Sequence, residues 1–305
     1  MGLRPQLNDL LELRHGANTI GLASRHRVNS LLAGLYLSVF RGQGMDFEEV
    51  REYREGDEIR NMDWRVTART GIPHLKVFRE ERERAVVLAV DVGSHMQFGT
   101  RGTFKNIQAA RAAALLGWAA SASQDRVGGL VFGDAQRGLR FLRPSRGRHG
   151  LWRMLRLLTE EADAHATAPN ALQEALEKLM TSAPTGALVF VIADLNRDVA
   201  ALEIPLGRLS QRHEVVLLPV DDPADSYLPA MGRVQFRSAD GDALTIDTDS
   251  RSGRDAYRGR WISRRDALGH IARKLGIPVI PLPTNEDVHQ SLVRGLRLRA
   301  RELVR

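Results

Sequence analysis

Two kinds of hydrophobic pattern alternate along the 305-residue chain. Short continuous apolar runs, such as Ala85–Val90 and Ala187–Ala193, have the length of buried strands. Longer stretches with apolar residues three or four positions apart, such as Thr103–Ser121 and Asn170–Met180, have the period of helices. Uniformly apolar strands that alternate with helices are typical of a parallel sheet covered on both faces. The pattern therefore predicts an α/β fold with a mainly parallel sheet.

The same patterns place further elements between and after these segments. A strand is expected at Arg126–Phe132, with a hairpin partner at Gly138–Leu142, followed by a helix at Arg146–Leu158. Toward the C-terminus we expect a helix that starts near Asn196 and is broken by Pro205, a strand at 214–220, a hairpin around 234–246, a helix from Ser263 to Leu275, a strand at 277–282 and a helix at 285–301.

Two of the apolar runs end on an acidic residue. Asp91 directly follows the run at Ala85–Val90, and Asp194 directly follows the run at Ala187–Ala193. The carboxyl ends of parallel strands meet at one edge of a sheet, which is where open α/β sheets build their sites. We therefore expect the two carboxylates at the same edge.

The segment from Phe47 to Arg84 carries nine basic and ten acidic residues, and this near balance predicts a network of ion pairs. Its scattered apolar residues are expected to face inward: Ile59, Met62, Trp64 and Val66. The alternative is that three carboxylates hold a metal ion: Asp57, Glu58 and Asp63. Carboxylates without a nearby histidine more often form salt bridges, so the structural interpretation is favoured.

Composition narrows the functional classes. The chain has no cysteine, which excludes disulfides, a thiolate nucleophile and cysteine metal sites. The apolar stretches are far shorter than the roughly 20 residues of a membrane helix, and the first residues lack the core of a signal peptide, so the expected location is cytoplasmic. The net charge is +7, and residues 251–305 hold 13 basic against five acidic residues. This basic end could meet nucleic acid, an acidic partner or anionic lipid, but a solvated helix face is the favoured interpretation. Nucleic acid is disfavoured as a partner here, because no aromatic residues that could stack on bases follow Trp261.

Common catalytic motifs are missing from the sequence. There is no GxxxxGK[ST], no GxGxxG after a strand, no GxSxG and no HxxxH. Asp91, Ser94 and His95 are residue types of a catalytic triad, but residues so close along one turn seldom point at one another. The sequence therefore favours a protein that is not an enzyme.

The segment GMDFEEVREYREGDEIRNMDWRVTARTG, followed by KVFREERE, resembles the signature of the family known as domain of unknown function 58. The resemblance is close over roughly residues 41–132. It implies a Rossmann-like von Willebrand factor A-type domain at residues 85–305 with a basic C-terminal end, and an N-terminal helical and charge-rich segment packed on it at residues 1–84. The signature positions are Gly56, Asp57, Arg60, Asp63, Trp64, Arg65, Ala68 and Arg69.

The resemblance also implies a metal-ion-dependent adhesion site, in which a DxSxS loop, a threonine and a second aspartate hold Mg²⁺. Asp91 matches the first aspartate and Asp194 the last, whereas Gly93 and His95 stand at the two serine positions and Asn170 falls near the threonine position. Because the hydroxyl ligands are missing, we expect a degenerate site with no cofactor rather than bound Mg²⁺ or Mn²⁺. Asp91 and Asp194 would then cap loops or pair with arginines.

The function implied by the resemblance is that of a protein-interaction module. Related proteins resemble partners of MoxR-type AAA+ ATPases, for which they would act as adaptor or cofactor in the assembly or maturation of protein complexes. The alternative is binding of nucleic acid or an anionic surface through the basic C-terminal stretch, where Arg294, Arg297 and Arg301 share roughly one helix face. A further alternative is a carboxylate-based metallohydrolase that uses Asp57, Asp63 or Asp91.

Overall fold

The computed structural model describes residues 4–17, 46–54, 57, 62–79, 84–160, 168, 170–197, 199–237 and 243–302. The chain divides into two compact units, one of residues 39–83 and one of residues 1–38 together with 84–305. Among the residues singled out from the sequence, Gly56, Glu58, Ile59 and Arg60 lie outside the described part of the chain.

The elements, in chain order, fall at the following positions. The helices are α1 (Leu7–Glu12), α2 (Arg14–Ala17), α3 (Trp64–Thr70), α4 (Lys105–Ala122), α5 (Arg148–Thr159), α6 (Ala171–Ser182), α7 (Glu203–Arg212), α8 (Pro223–Ser226), α9 (Arg251–Leu275) and α10 (Val288–Glu302). The strands are β1 (Asp46–Glu52), β2 (His74–Arg79), β3 (Ala85–Asp91), β4 (Arg126–Phe132), β5 (Arg140–Ser145), β6 (Leu188–Ala193), β7 (Glu214–Asp221), β8 (Arg233–Arg237), β9 (Ala243–Asp247) and β10 (Leu282–Pro283).

The larger unit is built on a six-stranded sheet with the order β10-β7-β6-β3-β4-β5. The five strands from β10 to β4 run parallel, and β5 pairs antiparallel with β4 at one edge. The sequence-based prediction of an α/β fold with a mainly parallel sheet is confirmed, and the architecture is compatible with a Rossmann-like fold.

The central strand β3 is buried along its whole length, and its side chains alternate between two helical layers. Val86, Leu88 and Val90 face a core formed with α1, α4, α5 and α10. Val87 and Ala89 face a second core formed with α6, α7 and α9. Because both faces are covered, the strand can be apolar at every position, which is the pattern that the sequence showed.

Three sequence-based predictions near the C-terminus differ from the structure. Pro205 does not break a helix but lies in the first turn of α7, where a backbone N–H has no intrahelical acceptor and a proline costs little. Helix α9 begins at Arg251 rather than at Ser263, because a long polar and glycine-containing half precedes its buried part. The strand expected at 277–282 is reduced to β10 and one isolated bridge at Val279, since Pro278 and Pro281 cannot donate hydrogen bonds to a sheet.

The N-terminal helices belong to the larger unit. Leu10 of α1 is buried in the core beside α4, and the indole Nε1 of Trp118 donates to the carbonyl oxygen of Leu10 at 3.0 Å. The domain division expected from the sequence placed these helices together with the charge-rich segment in residues 1–84. In the structure, the helices belong to the larger unit and residues 39–83 form the smaller one. Burial of Leu10 against α4 is the physical reason. No helix among the described residues is both long and apolar enough to cross a membrane.

The smaller unit contains an antiparallel pair, β1 and β2, and helix α3. The Asp57 carboxylate accepts two hydrogen bonds from the Arg51 guanidinium, at 2.6 and 2.8 Å. The Asp63 side chain caps α3 by accepting from the backbone N–H groups of Arg65 and Val66. Two of the carboxylates weighed as metal ligands thus have structural partners. The expectation that Trp64 faces inward is wrong, because 67% of this residue is exposed at the start of α3.

Candidate functional site

Acidic residues collect where three neighbouring parallel strands end. Asp91 ends β3, Asp194 directly follows β6, and Asp221 ends β7. Strands β3 and β6 are adjacent and parallel, as are β6 and β7, so the three carboxylates share one edge of the sheet. The turn after β7 adds Asp222 and Asp225 to the same region.

Asp91 is 2% exposed and fully engaged within its own loop. Its Oδ1 accepts from the backbone N–H of Gly93 at 3.0 Å, and its Oδ2 lies 3.0 Å from Nε2 of His95. Gly133, which follows β4 with φ +100°, lies so close that a Cβ there would collide with Asp91 Oδ1. The carboxylate is therefore held in one orientation by its own loop and by the next one.

The His95 imidazole folds back over Gly93 toward Asp91. A Cβ on residue 93 would come within 2.7 Å of the ring, so the ring can occupy this position only because residue 93 is a glycine. Burial alone would lower the pKa of His95, but the Asp91 carboxylate and, more weakly, that of Asp194 raise the pKa above its ordinary value. The Arg197 guanidinium lies 3.4 Å from His95 Nε2. The side chain at position 95 is thus a ring whose surroundings favour positive charge.

Asp194 binds an ammonium group of the same chain. Its Oδ1 accepts from the backbone N–H of Asn196 at 2.8 Å, and its Oδ2 lies 2.6 Å from Nζ of Lys105. The same Nζ lies 2.7 Å from Oδ2 of Asp225 and 5.7 Å from the centre of the Phe98 ring. The Lys105 side chain, at the first residue of α4, is only 2% exposed. A buried cation therefore bridges two carboxylates at the sheet edge.

The charges of this bridge are mutually dependent. Burial would lower the pKa of Lys105, but Asp194 and Asp225 outweigh it and raise the pKa, which keeps the ammonium charged. Burial opposes ionisation of Asp194, yet Lys105 holds the pKa of that carboxyl below its ordinary value. Burial raises the pKa of Asp225, and the negative charge of the nearby Asp194 raises it further. Lys105 lowers this pKa, but not enough to cancel the two other effects. Asp194 is therefore the principal counter-charge of Lys105.

Two further carboxylates flank the bridge. Asp221 forms an ion pair with Arg265 of α9, but burial raises its pKa to about 6. Asp222 caps α8 and accepts hydrogen bonds from the hydroxyls of Thr100 and Thr284. These hydrogen bonds outweigh the effect of burial and lower the pKa of Asp222. The edge is thus rich in negative charge, and its carboxylates are held by partners from the same chain.

Asn170, the residue nearest the threonine position, precedes a helix rather than following a strand. It lies at the N-cap of α6 in the left-handed conformation, its side chain makes no capping hydrogen bond, and the residue is exposed. The backbone two positions earlier approaches the site, since the N–H of Ala168 donates to the carbonyl oxygen of Gly133 at 3.1 Å. The remaining described signature positions, Arg65, Ala68 and Arg69, are exposed on α3.

Part of the positive charge in the C-terminal stretch is paired within the chain. Arg265 binds Asp221, Lys274 lies 2.5 Å from Glu203, and Arg294 lies 2.5 Å from Glu286. Of the three arginines expected on one face of the last helix, Arg294 is thus engaged, and the side chain of Arg301 lies outside the described residues.

Sequence reasoning missed Lys105, which is the residue that determines the character of the site. One signal was present in the sequence, since a lysine opens an alanine- and leucine-rich helix at the end where the helix dipole disfavours cations. Such a placement indicates a specific anionic partner. Asp225 carried no comparable signal, because it belongs to a one-turn helix after β7.

Known proteins similar to this chain include uncharacterized proteins of Mycobacterium bovis (Mb1516) and Mycobacterium tuberculosis (Rv1480), each 28% identical over 299 residues, which span 98% of this chain and 93% of the relative. A crystal structure of the conserved hypothetical protein BatB from Bacteroides thetaiotaomicron aligns with 63% of this chain and 98% of its own length, at 16% identity and a TM-score of 0.39.

A family model matches most of this chain. The family model described as protein of unknown function DUF58 matches residues 49–267, which include the smaller unit's helix α3, the strand-end carboxylates and Lys105. This span is more than two thirds of the sequence, and it includes all the signature positions from Gly56 to Arg69. The chain therefore belongs to the DUF58 family.

Proposed function

We propose that this chain is a non-enzymatic protein-interaction module, built on a von Willebrand factor A-type domain whose adhesion site works without a metal ion. The observation that carries the proposal is the position of Lys105. Its ammonium lies 2.6 Å from Asp194, the last aspartate of the adhesion-site pattern, and 2.7 Å from Asp225. The charge that a metal would supply is built into the chain.

The donor set does not fit Mg²⁺. This ion requires about six oxygen ligands in near-octahedral geometry. At the two serine positions Gly93 offers no side chain and His95 offers an imidazole, which is a poor ligand for Mg²⁺. Asp194 is already bound by Lys105, and a divalent cation beside that ammonium would experience strong like-charge repulsion. The proposed function therefore involves no metal-dependent step.

The proposed partner class is a MoxR-type AAA+ ATPase, for which the chain acts as adaptor or cofactor in the assembly or maturation of protein complexes. The family resemblance suggests this role, and the smaller unit offers a surface of the right chemistry. Trp64, Arg65 and Arg69 are exposed on α3. Tryptophan and arginine are the residue types that most often dominate the binding energy of protein interfaces.

The test combines the purified chain with the MoxR-type AAA+ ATPase of the same organism. We expect a complex in size-exclusion chromatography and a changed ATP hydrolysis rate, both unaltered when a chelator keeps this chain metal-free before mixing. A Trp64→Ala variant should weaken the complex, and Ile204→Ala, another change at a residue that is 67% exposed, is the control. Absence of a complex at low salt, together with an unchanged ATPase rate, would refute the proposed partner.

A separate experiment tests whether the strand-end site binds a metal ion. Calorimetric titration of Mg²⁺ and Mn²⁺ into the wild-type chain should give no binding heat above dilution. Binding that disappears in Asp91→Asn would show that the strand-end site holds a metal despite Lys105. Metal-dependent turnover of a phosphoester or peptide substrate would overturn the non-enzymatic assignment.

A further inference from the structure

A second basic surface, separate from the C-terminal stretch, lies on β5 and α5. Residues 137–160 contain seven arginines and a single acidic residue, Glu160. Arg137 is half-buried and the other six are exposed. The arginines are Arg137, Arg140, Arg143, Arg146, Arg148, Arg153 and Arg156.

The outer face of α5 presents an aromatic ring among these cations. Trp152 lies in the middle of the helix and is 43% exposed. At about 100° per residue, Arg148 and Arg156 lie one turn before and one turn after it, and Arg153 lies beside it. Leu151, Met154 and others on the opposite face are buried in the core, so the helix is anchored while its outer face stays in solvent.

The ring and its neighbouring charges have no partners among the residues that the structure describes. Arg140 binds Glu160 at 2.6 Å and Arg137 lies 3.5 Å from Asp134, but Arg148, Arg153 and Arg156 form no ion pair there. No described cation stacks on the Trp152 ring, in contrast to Trp261, over which Arg265 lies at 5.6 Å. An open ring face flanked by unpaired guanidinium groups is available to a ligand.

We propose that this arginine–tryptophan surface, formed by Arg148, Trp152, Arg153 and Arg156, binds single-stranded nucleic acid. A base stacks on Trp152, and guanidinium groups on either side bind the adjoining phosphates. A polymer with one negative charge per nucleotide matches a surface whose described residues 137–160 include seven arginines and one acidic residue. A folded acidic protein is less well matched, since protein interfaces commonly interleave both signs of charge. This inference goes beyond the proposed adaptor function and does not depend on it.

The probe is a fluorescein-labelled oligodeoxythymidylate of about 15 nucleotides, followed by fluorescence anisotropy. Three phosphate contacts predict a slope of log K against log salt of about −2, at roughly 0.7 per phosphate. Trp152→Ala should weaken binding by about 5- to 150-fold, the range measured for loss of one stacked base, whereas Trp152→Phe should restore most of it.

Two double variants distinguish binding at this surface from binding that any basic part of the chain would produce. Arg153→Glu with Arg156→Glu should abolish binding and flatten the salt dependence. Arg258→Glu with Arg260→Glu makes the same charge change at two exposed positions of α9 and should leave most of the affinity intact. Thermal melts of each variant, followed by far-ultraviolet circular dichroism, identify any variant that has lost the fold. If Trp152→Ala is unfolded, the affinity of Trp152→Phe relative to the wild type is used instead.

Four results would overturn the inference. These are no binding of the oligonucleotide at low salt, equal affinities for the wild type and Trp152→Ala, equal losses in the two double variants, or competition by poly-L-glutamate as effective as that of unlabelled oligonucleotide. The last result would reassign the surface to an acidic protein.

Discussion

Replacement of Lys105 by methionine tests the buried ion bridge most directly. Methionine keeps most of the apolar stem but removes the ammonium, so Asp194 and Asp225 lose the cation that lies 2.6 and 2.7 Å from them. Their side chains are only 16% and 10% exposed, so water replaces little of the lost interaction. Removal of one partner from a buried ion pair typically costs about 3–5 kcal/mol. We expect a loss of unfolding free energy of that size near pH 7.5.

The loss should depend on pH in a defined direction. Without Lys105 the folded-state pKa values of Asp194 and Asp225 rise, because burial is no longer opposed by a cation. As pH falls toward 5 these carboxyls take up protons, and the charge left unpaired by the substitution disappears. The difference in unfolding free energy between wild type and Lys105→Met is therefore largest at pH 7.5 and shrinks toward pH 5.

Urea denaturation at several pH values measures this difference, and Lys274→Met is the matched control. Lys274 also pairs with a carboxylate, that of Glu203, but its side chain is 61% exposed, so its loss should cost less than about 1 kcal/mol. The double variant Lys105→Met with Asp194→Asn should recover part of the stability, because the buried charge is removed with its partner. Equal costs for Lys105→Met and Lys274→Met, at unchanged m-values, would refute the buried bridge.

Two further predictions concern neighbouring groups at the same edge. The folded-state pKa of Asp221 is raised to about 6, so ionisation of this carboxyl lowers the stability of the wild type as pH rises from 4 to 7. The Asp221→Asn variant has no such loss. Its unfolding free energy, measured by urea titration, should therefore increase relative to that of the wild type by up to about 3 kcal/mol over this range. An unchanged difference would contradict the raised pKa. Gly133→Ala should lower stability by about 2–3 kcal/mol and lower the pKa of His95 in NMR titrations, because the new Cβ displaces Asp91. Gly138→Ala, also at positive φ but with open space around it, should cost only about 1 kcal/mol and leave that pKa unchanged.

The positions of Asp91 and Asp194 at one sheet edge could be predicted because local patterns determine them. Each follows an apolar run, and parallel strands covered by helices have few alternative arrangements. The partners of these carboxylates could not be predicted in the same way. Lys105 reaches Asp194 across 89 positions of sequence, and His95 reaches Asp91 only because Gly93 leaves room for the ring. Such contacts depend on tertiary geometry that periodicity does not record.

The errors in the element predictions share a physical origin. The first half of α9 is mostly polar, and its few apolar side chains, such as Tyr257, are only half-buried. The Ser250 cap and the carbonyl oxygen of Thr248, which accepts from Arg254, help to hold this half as a helix. Exposure of Trp64 has a similar explanation, since Asp63 fixes where α3 begins and thereby the direction in which its first side chain points. Hydrophobic pattern alone does not detect caps.

The central position of β3 also sets an order in which the sheet can assemble. Ala85 pairs with Arg126, 41 positions further along the chain, whereas Val86 pairs with Leu188, 102 positions away. Closure of the shorter loop costs less chain entropy, so β3, α4 and β4 are expected to associate before β6 docks. In this order Lys105 is in place before Asp194 arrives, so we expect the ion bridge to form after the main folding barrier. Loss of the bridge is then expected to speed unfolding and to leave the rate of folding nearly unchanged.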